Sequence, residues 1–255
     1  MGFRGLFCDL PGPTAATPIL KPMDAETVVT LARVAERAER YDEMAKYMKQ
    51  RVELGPVLTC EEREMFSASF KNSLTERRVA VRVAHGVEMM ESSEGRLAHV
   101  SLAKGYRSKV EAELNGICSE ALALLESQLV GTAEPGEAKA FYLKMQGDYY
   151  RYLAEWNTDD AAKARLAGNA SESYSAGMQE CLALPPANPV RLGLALNFSV
   201  FQHEVLRNTE LAIQTATETL QSAIPDIESL AEESKNDSLI TMQLLQDNLT
   251  LWSAE

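Results

Sequence analysis

The stretch FYLKMQGDYYRY, residues 141–152, decides the fold expected of this chain. Four of its polar residues stand at positions i, i+4, i+7 and i+8, the spacing that places side chains on one face of an α-helix. These residues are Lys144, Asp148, Arg151 and Tyr152. The stretch therefore predicts an amphipathic helix that carries basic groups, a carboxylate and a phenol along one stripe.

This stripe also has a chemical interpretation. A guanidinium donates two hydrogen bonds in a fork and a neighbouring phenol adds a third, so Arg151 and Tyr152 suit a phosphate dianion. Asp148 is placed to steer the arginines by pairing with them. The alternative is a tyrosine-rich core helix with an incidental ion pair.

A second group of cations lies earlier in the chain. Lys71, Arg78 and Arg82 are separated by seven and four positions, so on a helix they fall within about 40° of one another. They predict a cationic helix face. A solvated charged surface is the alternative for this segment.

Two later segments carry apolar stripes, each with an embedded asparagine. Asn197, Val200 and Glu204 stand at i, i+3 and i+7 in one of them. The other stripe consists of Thr241, Leu244, Asn248, Leu251 and Trp252. Stripes of this kind are usually core, but an asparagine amide both donates to and accepts from an extended peptide backbone.

Helical spacing extends over most of the chain, and an example near its start is Val28, Leu31, Val34, Ala35 and Ala38. Residues 1–23 are rich in proline and glycine and predict a flexible arm, followed by a single helical domain over residues 24–255. The expected helix starts are a capping box at Thr59 and Glu62 and an N-cap at Asn188 with Pro189 after it. The expected breaks are Gly55-Pro56, residues 131–136, residues 157–160 and Pro185-Pro186. About nine helices result, and without strand alternation the fold class is all-α.

Composition restricts the possible functions. The chain has 255 residues, of which 45% are hydrophobic, enough for a sizeable core. Its formal net charge of −12 repels nucleic acid and anionic membranes, so we expect neither as a partner. No apolar run approaches the roughly 20 residues of a membrane span, and the start does not resemble a signal peptide. A soluble cytoplasmic protein is expected, with the nucleus as a second compartment.

The sequence does not indicate a catalytic centre, a metal site or a cofactor. Its four cysteines lie far apart, without a C-x-x-C pair or a histidine at ligand spacing. His85, His99 and His203 sit in three separate segments with no evident nucleophile partner, which argues against a phosphatase or other hydrolase. We therefore expect a binding protein rather than an enzyme.

Several strings in the chain closely resemble the 14-3-3 family. They are AERYD (38–42), YYRYLAE (149–155), RLGLALNFSVF (191–201), MQLL (242–245) and DNLTLW (247–252). The resemblance covers roughly residues 24–252. It implies a cup-shaped protomer of nine antiparallel helices that dimerises through its N-terminal helices, at about residues 24–128. Helices within about residues 60–92 and 135–252 then form one ligand groove per protomer.

The function implied by this resemblance is that of an adaptor. The groove would bind phosphoserine or phosphothreonine segments of client proteins and regulate those clients in signalling. The protein would act as a homodimer or as a heterodimer with paralogues. A helical scaffold for unphosphorylated peptides is the alternative.

The resemblance also assigns site residues. Lys71, Arg78, Arg151 and Tyr152 match the phosphate pocket of the family. Asn197 and Asn248 match its clamps on the peptide main chain. The remaining predicted groove residues are the flanking Lys144, Glu204 and Trp252, the apolar Leu196, Val200, Leu244 and Leu251, and Arg82, Asp148 and Thr241.

The predicted dimer interface combines an apolar stripe with charges. Val34 and Ala38 form a small apolar stripe on the first helix, as close helix packing favours. In the family's pattern, Arg40 and Glu43 pair across the two-fold axis with Glu113 and Lys109 of the other protomer, near Tyr106. The alternative is that these charges are solvated surface groups that contribute little.

Some positions depart from the family's pattern. Gln146 and Gln246 replace residues that are usually basic, and Thr241 replaces a usual isoleucine. These changes affect the ligand preference beside the phosphate. Ala80 stands where many members carry a serine whose phosphorylation loosens the dimer, so that switch is not expected in this chain.

Overall fold

The structure is a computed structural model that describes residues 23–254, and this range contains nine α-helices and no β-strand. The helices are α1 (Ala25–Arg37), α2 (Tyr41–Leu54), α3 (Cys60–Ser93), α4 (Leu97–Leu124), α5 (Glu137–Glu155), α6 (Asp160–Glu180), α7 (Pro189–Glu204), α8 (Thr209–Ala223) and α9 (Glu232–Trp252). The all-α prediction is confirmed. Apart from Met23, the predicted arm lies outside the described residues.

Two helix starts follow the local signals in the sequence. At α3 the Thr59 hydroxyl accepts the Glu62 N–H at 3.2 Å, and the Glu62 carboxylate accepts the Thr59 N–H at 2.8 Å. At α7 the Asn188 side chain accepts the N–H groups of Val190 and Arg191, with Pro189 in the first turn. Each cap satisfies backbone donors that the helix leaves free.

Three buried clusters hold the helices together. The first joins α1 to α5 around Phe66 and Phe70, and the second joins α7, α8 and α9 around Leu192 and Leu245. The third, around Tyr174, packs α5 and α6 against α7. Because α5 contributes to the first and third clusters and α7 to the second and third, these two helices connect the halves of the molecule.

Helix α1 is amphipathic as predicted, but its buried face differs from the predicted stripe. The buried residues are Val28, Val29, Ala32 and Ala35. Val34 is 58% exposed, and Ala38 is exposed as well. At 100° per residue, Val34 points away from the face that Ala32 and Ala35 share. Its apolar side chain is therefore free on the surface of a single chain.

Helices α5 and α6 approach so closely that one position between them has room only for a hydrogen atom. A Cβ atom on Gly147 would lie 2.7 Å from ring carbons of Tyr174, which is fully buried. Such a contact forces the ring to move. Gly147 therefore fixes the place of Tyr174 in the core.

We expect Gly147→Ala to destabilise the fold by about 1–3 kcal/mol, because it overpacks this contact. Gly168→Ala on α6 is the matched control, since a Cβ there meets nothing within 4 Å. In a helix interior this control change should stabilise by up to about 1 kcal/mol. Thermal unfolding followed by circular dichroism measures both variants. A Gly147→Ala melting temperature at or above that of the wild type would contradict the prediction.

Candidate functional site

A cavity of about 290 Å³ lies where α3, α5, α7 and α9 meet. It gathers eight of the predicted site residues: Lys71, Lys144, Asp148, Arg151, Tyr152, Leu196, Asn197 and Thr241. Ser67, Met145, Tyr149 and Gly193 complete its lining. Residues from four separate sequence segments are thus brought to one place.

The Tyr152 ring supports two of the predicted phosphate ligands. The guanidinium carbons of Arg78 and Arg151 lie 4.2 Å and 4.7 Å from the centroid of this ring. Contacts of this kind are cation–π interactions and hold the guanidinium planes in place. Burial, and then the nearby Asp148 carboxylate, raise the pKa of the Tyr152 hydroxyl, which therefore stays protonated and able to donate.

Asp148 is the buried centre of a hydrogen-bond network. Its carboxylate accepts from the Tyr174 hydroxyl at 2.5 Å, from Lys144 Nζ at 3.0 Å and from Asn197 Nδ2 at 2.8 and 2.9 Å. Arg151 Nη2 lies 3.5 Å away, and Arg151 Nε donates to the Tyr174 oxygen at 3.2 Å. Burial alone would raise the pKa of Asp148, but Lys144, Arg151 and the hydrogen bonds hold it below its usual value. The group is therefore a carboxylate at neutral pH.

A second carboxylate balances the other arginines. The carboxylate of Glu155, the last residue of α5, accepts hydrogen bonds from Arg78 Nη2 at 2.9 Å and from Arg82 Nη2 at 3.2 Å. The exposed Lys71 makes no ion pair with any described residue. The region therefore contains more positive than negative groups. The cations are Lys71, Arg78, Arg82, Lys144 and Arg151, and the two carboxylates are Asp148 and Glu155. The region around the cavity is thus positive in a chain of net charge −12.

An apolar strip continues from the cavity along α7 and α9. Asn197 and Thr241 share the cavity, and further along the rings of His203 and Trp252 stack 4.9 Å apart. The two helices therefore run side by side between these contacts. The strip displays the half-buried Leu196, Val200 and Asn248 and the more exposed Leu244, Leu251 and Glu204. Trp252 is only 5% exposed and packs in the second cluster.

Besides the lining residues Ser67, Met145, Tyr149 and Gly193, two residues that pair with the charged groups of the site were not predicted from the sequence. Glu155 follows Arg151 by four positions, a spacing that places both on one face of α5, so a signal for it was present. Tyr174 lies on α6, and nothing in its own segment connects it with Asp148. Only Gly147 marks the close approach that brings this phenol to the site.

The residues predicted for dimerisation are accessible on the surface of the single chain. Arg40 pairs with Glu43 of its own chain, with Nε 2.8 Å from Oε2, and Glu113 lies 3.5 Å from Arg77 Nε. Lys109 is exposed, and Tyr106 is 58% exposed. Tyr106 lines a mainly apolar hollow between α3 and α4, together with Glu76, Val79, Ala80, Val83, Ala84, Val87 and Ala103.

Two other kinds of site are missing from residues 23–254. None of the helices in this range combines the length and the apolar character that crossing a bilayer requires. The same residues include no group of three or more histidine, cysteine, aspartate or glutamate side chains placed to hold a metal ion.

Comparison with known proteins gives matches to a single family. A family model described as "14-3-3 protein" matches residues 31–253. The chain is 46% identical to a 14-3-3-like protein of Helianthus annuus, over 90% of each chain. It is also 46% identical to the 14-3-3-like protein G-BOX factor 14 kappa of Arabidopsis thaliana, over 91% of this chain and 95% of the relative. With the checkpoint signal transducer rad25 of Schizosaccharomyces pombe it shares 45% identity, over 90% of this chain and 85% of the relative.

Proposed function

Because the chain belongs to the 14-3-3 family, whose members are phospho-binding adaptor proteins and not enzymes, we propose which of its residues bind the phosphorylated client. As a member, the chain is a phosphorylation-dependent adaptor of signalling. It holds its partner and performs no chemistry on the phosphate.

The phosphoryl group is held by Lys71, Arg78, Arg151 and Tyr152. The guanidinium groups of Arg78 and Arg151, which lie against the Tyr152 ring, supply positive charge. The ammonium group of Lys71 on α3 adds to it from the lining of the cavity. The Tyr152 hydroxyl supplies a neutral donor. The observation that carries this assignment is the concentration of cations around one cavity in an otherwise acidic chain. Arg82 extends the positive face beyond the cavity.

The client peptide lies along α7 and α9. Asn197 and Asn248 bond its main chain, and Leu196, Val200, Leu244 and Leu251 form the apolar wall beside them. The flanking positions are Lys144, Glu204 and Trp252. Thr241, Gln146 and Gln246 adjust which side chains are preferred beside the phosphate, because they exchange apolar or charged groups for neutral polar ones.

The family forms dimers, and for this chain the interface is proposed to lie in residues 24–128. The exposed Val34 and Ala38 and the apolar hollow beside Tyr106 are the complementary surfaces. Arg40 and Glu43 pair with Glu113 and Lys109 of the other protomer, and these pairs set the register of the two protomers. Both a homodimer and a heterodimer with paralogues satisfy this arrangement, and the cytoplasm is the proposed compartment.

We expect a phosphoserine peptide to bind and its unphosphorylated twin to bind at least about a hundredfold more weakly, since charge-assisted hydrogen bonds supply most of the affinity. Isothermal titration calorimetry of the two peptides measures the difference. Equal affinity for both would favour the scaffold for unphosphorylated peptides and overturn the proposal.

The same titration has an expected pH dependence. The second pKa of a phosphate ester is about 6, so the ligand loses one charge between pH 7 and pH 5. Asp148 stays a carboxylate over this range, because Lys144 and Arg151 outweigh the effect of its burial and depress its pKa. Affinity should therefore fall as the pH drops below about 6. A flat profile would contradict selection for a dianion.

A further inference from the structure

The apolar stripe of the hollow beside Tyr106 continues towards the turn between α3 and α4. Val87 lines the hollow, and Met90 follows it by three positions, which keeps Met90 on the same face of α3. On α4, Leu102 precedes Tyr106 by four positions and extends the stripe in the same way. Met90 is 50% exposed and Leu102 is 73% exposed. These two side chains form a distal patch that is uncovered in the single chain.

Two contacts across the turn between α3 and α4 show that the two members of the distal patch are neighbours. Arg107 Nε lies 2.9 Å from Glu88 Oε2, and His99 Nδ1 lies 3.0 Å from Glu91 Oε2. One member of the patch stands between Glu88 and Glu91 on α3, and the other stands between His99 and Arg107 on α4. The patch is therefore a single surface at the far end of the stripe.

The proposed dimer brings the start of α1 to this patch of the other protomer. Arg40, just after α1, pairs there with the partner's Glu113, and Val34, further back on α1, faces the hollow beside the partner's Tyr106. Moving back along α1 thus follows the partner's α4 back towards its first turn. Helix α1 begins nine residues before Val34 and α4 begins nine residues before Tyr106, which is about 14 Å of helix in each case. The start of α1 therefore lies beside the distal patch of the partner.

We propose that residues 18–22 of one protomer cover the distal patch of the other, with Ile19 and Leu20 as the contacting side chains. This inference rests on the proposed dimer interface and extends it beyond α1. The segment reads PILKP, so its two large apolar residues stand close to two prolines. Proline fixes its own φ and restricts the residue before it, which lowers the entropy lost on binding. Leu20 is five residues from the start of α1 and reaches up to about 18 Å from it.

Charge favours the same contact. Residues 1–23 contain two basic residues and one acidic residue, in a chain whose net charge is −12. Residues 88–102 contain three glutamates and one arginine. Lys21, directly after Leu20, therefore approaches a surface of opposite sign, which favours association.

The distal patch of the same chain lies further from its own α1. Arg33 on α1 donates to Glu61 in the first turn of its own α3 at 2.8 Å. Met90 follows Glu61 by 29 residues, or about 44 Å of helix. The partner's α1 begins beside the patch instead. The arms are therefore exchanged between the two protomers.

Disulfide trapping between two differently tagged full-length chains tests this exchange. One chain carries Ile19→Cys or Leu20→Cys, and the other carries Met90→Cys. Both also carry Cys8→Ser and Cys60→Ser, so that the remaining native cysteines are buried. After mixing and mild oxidation, we expect a disulfide-linked heterodimer on a non-reducing gel, because a disulfide forms only where the two Cα atoms come within about 7 Å.

Met89→Cys is the matched control for Met90→Cys. Met89 is 60% exposed, but on α3 it points about 100° away from Met90 and off the stripe. The better of the two arm cysteines should link to Met90→Cys with at least about fivefold higher yield than to Met89→Cys. Equal yields would indicate random collision and overturn the inference.

A second measurement needs no cysteine. Met90→Asp should raise the dissociation constant of the dimer by about tenfold, because the arm loses its apolar contact, whereas Met89→Asp should leave it nearly unchanged. Both positions are exposed, so both variants should fold, and circular dichroism checks this. A singly phosphorylated peptide should bind Met90→Asp as it binds the wild type, because Met90 lies about 28 Å of helix beyond Lys71.

The outcomes separate this inference from the dimer itself. A disulfide that closes within single chains of Leu20→Cys with Met90→Cys, without any linked heterodimer, would place the arm on its own chain and overturn the inference. A Met90→Asp dimer as strong as the wild type, with weaker binding of a full-length client, would assign the patch to clients and overturn it too. Wild-type chains that stay monomeric would overturn the proposed interface as well. A dimer that Arg40→Glu with Glu43→Lys disrupts, but that cannot be trapped, overturns this inference alone.

Discussion

Lys71→Glu is expected to weaken phosphopeptide binding by at least about thirtyfold, or about 2 kcal/mol, while the chain stays folded. Two unit charges 4 Å apart in water interact by about 1 kcal/mol, and reversing one charge beside a dianion changes four such terms. Salt screening reduces this sum. Because Lys71 is exposed and has no ion pair with the described residues, the change should not disturb folding.

Lys163→Glu provides the control for Lys71→Glu. It makes the same charge change at an exposed position on α6, away from the cavity. Calorimetry with one phosphopeptide compares the two variants, and far-ultraviolet circular dichroism checks their helix content. Equal losses of affinity in both variants would mean that the peptide responds only to the net charge of the protein. Wild-type affinity in a folded Lys71→Glu variant would show that Lys71 is not a phosphate ligand.

The double variant Arg40→Glu with Glu43→Lys is expected to be monomeric at micromolar concentration, where the wild type forms the proposed dimer. Within one chain the two side chains pair with each other, and the exchange keeps that pair with its charges reversed. Across the proposed interface the two-fold axis uses each contact twice, so the double variant creates four like-charge contacts. Binding of a singly phosphorylated peptide should be unchanged. A doubly phosphorylated peptide should lose an avidity gain of about a hundredfold or more.

A companion variant makes this test selective. Lys109→Glu with Glu113→Lys reverses the other half of each contact and should also be monomeric alone. When the two variants are mixed, every contact between them again joins opposite charges, so a heterodimer should form. Analytical ultracentrifugation distinguishes these states. A dimer of either variant alone, or monomers after mixing, would disprove the proposed pairs.

Features that depend on a short segment of chain could be predicted from the sequence. The caps at Thr59 and Asn188 use partners within three residues. The helical period is also local, so the spacing of Lys144, Asp148 and Arg151 is enough to assign them to one face. The fold class and most helix breaks follow from such signals.

Two breaks between helices have no such local signal in the sequence. The α1–α2 and α7–α8 connections turn at Glu39 and Arg207, which adopt a positive φ of 55° although neither is a glycine. Such backbone is unfavourable for these residue types and persists because the packed helices on either side determine it. The hydrogen bond between Tyr174 and Asp148 also could not be predicted from the sequence, since it depends on the distance between two helices.

The pairing of Glu155 with Arg78 and Arg82 has a consequence for client variants that imitate phosphorylation. These arginines already hold a carboxylate that is tethered to their own chain and therefore present at high effective concentration. Glutamate or aspartate in a client brings one charge and two oxygens, which is no more than Glu155 provides. A phosphate dianion brings more charge and a third oxygen. With the proposed phosphate ligands, binding is an exchange of counter-ions, and we expect an acidic substitution to be a poor replacement for phosphoserine.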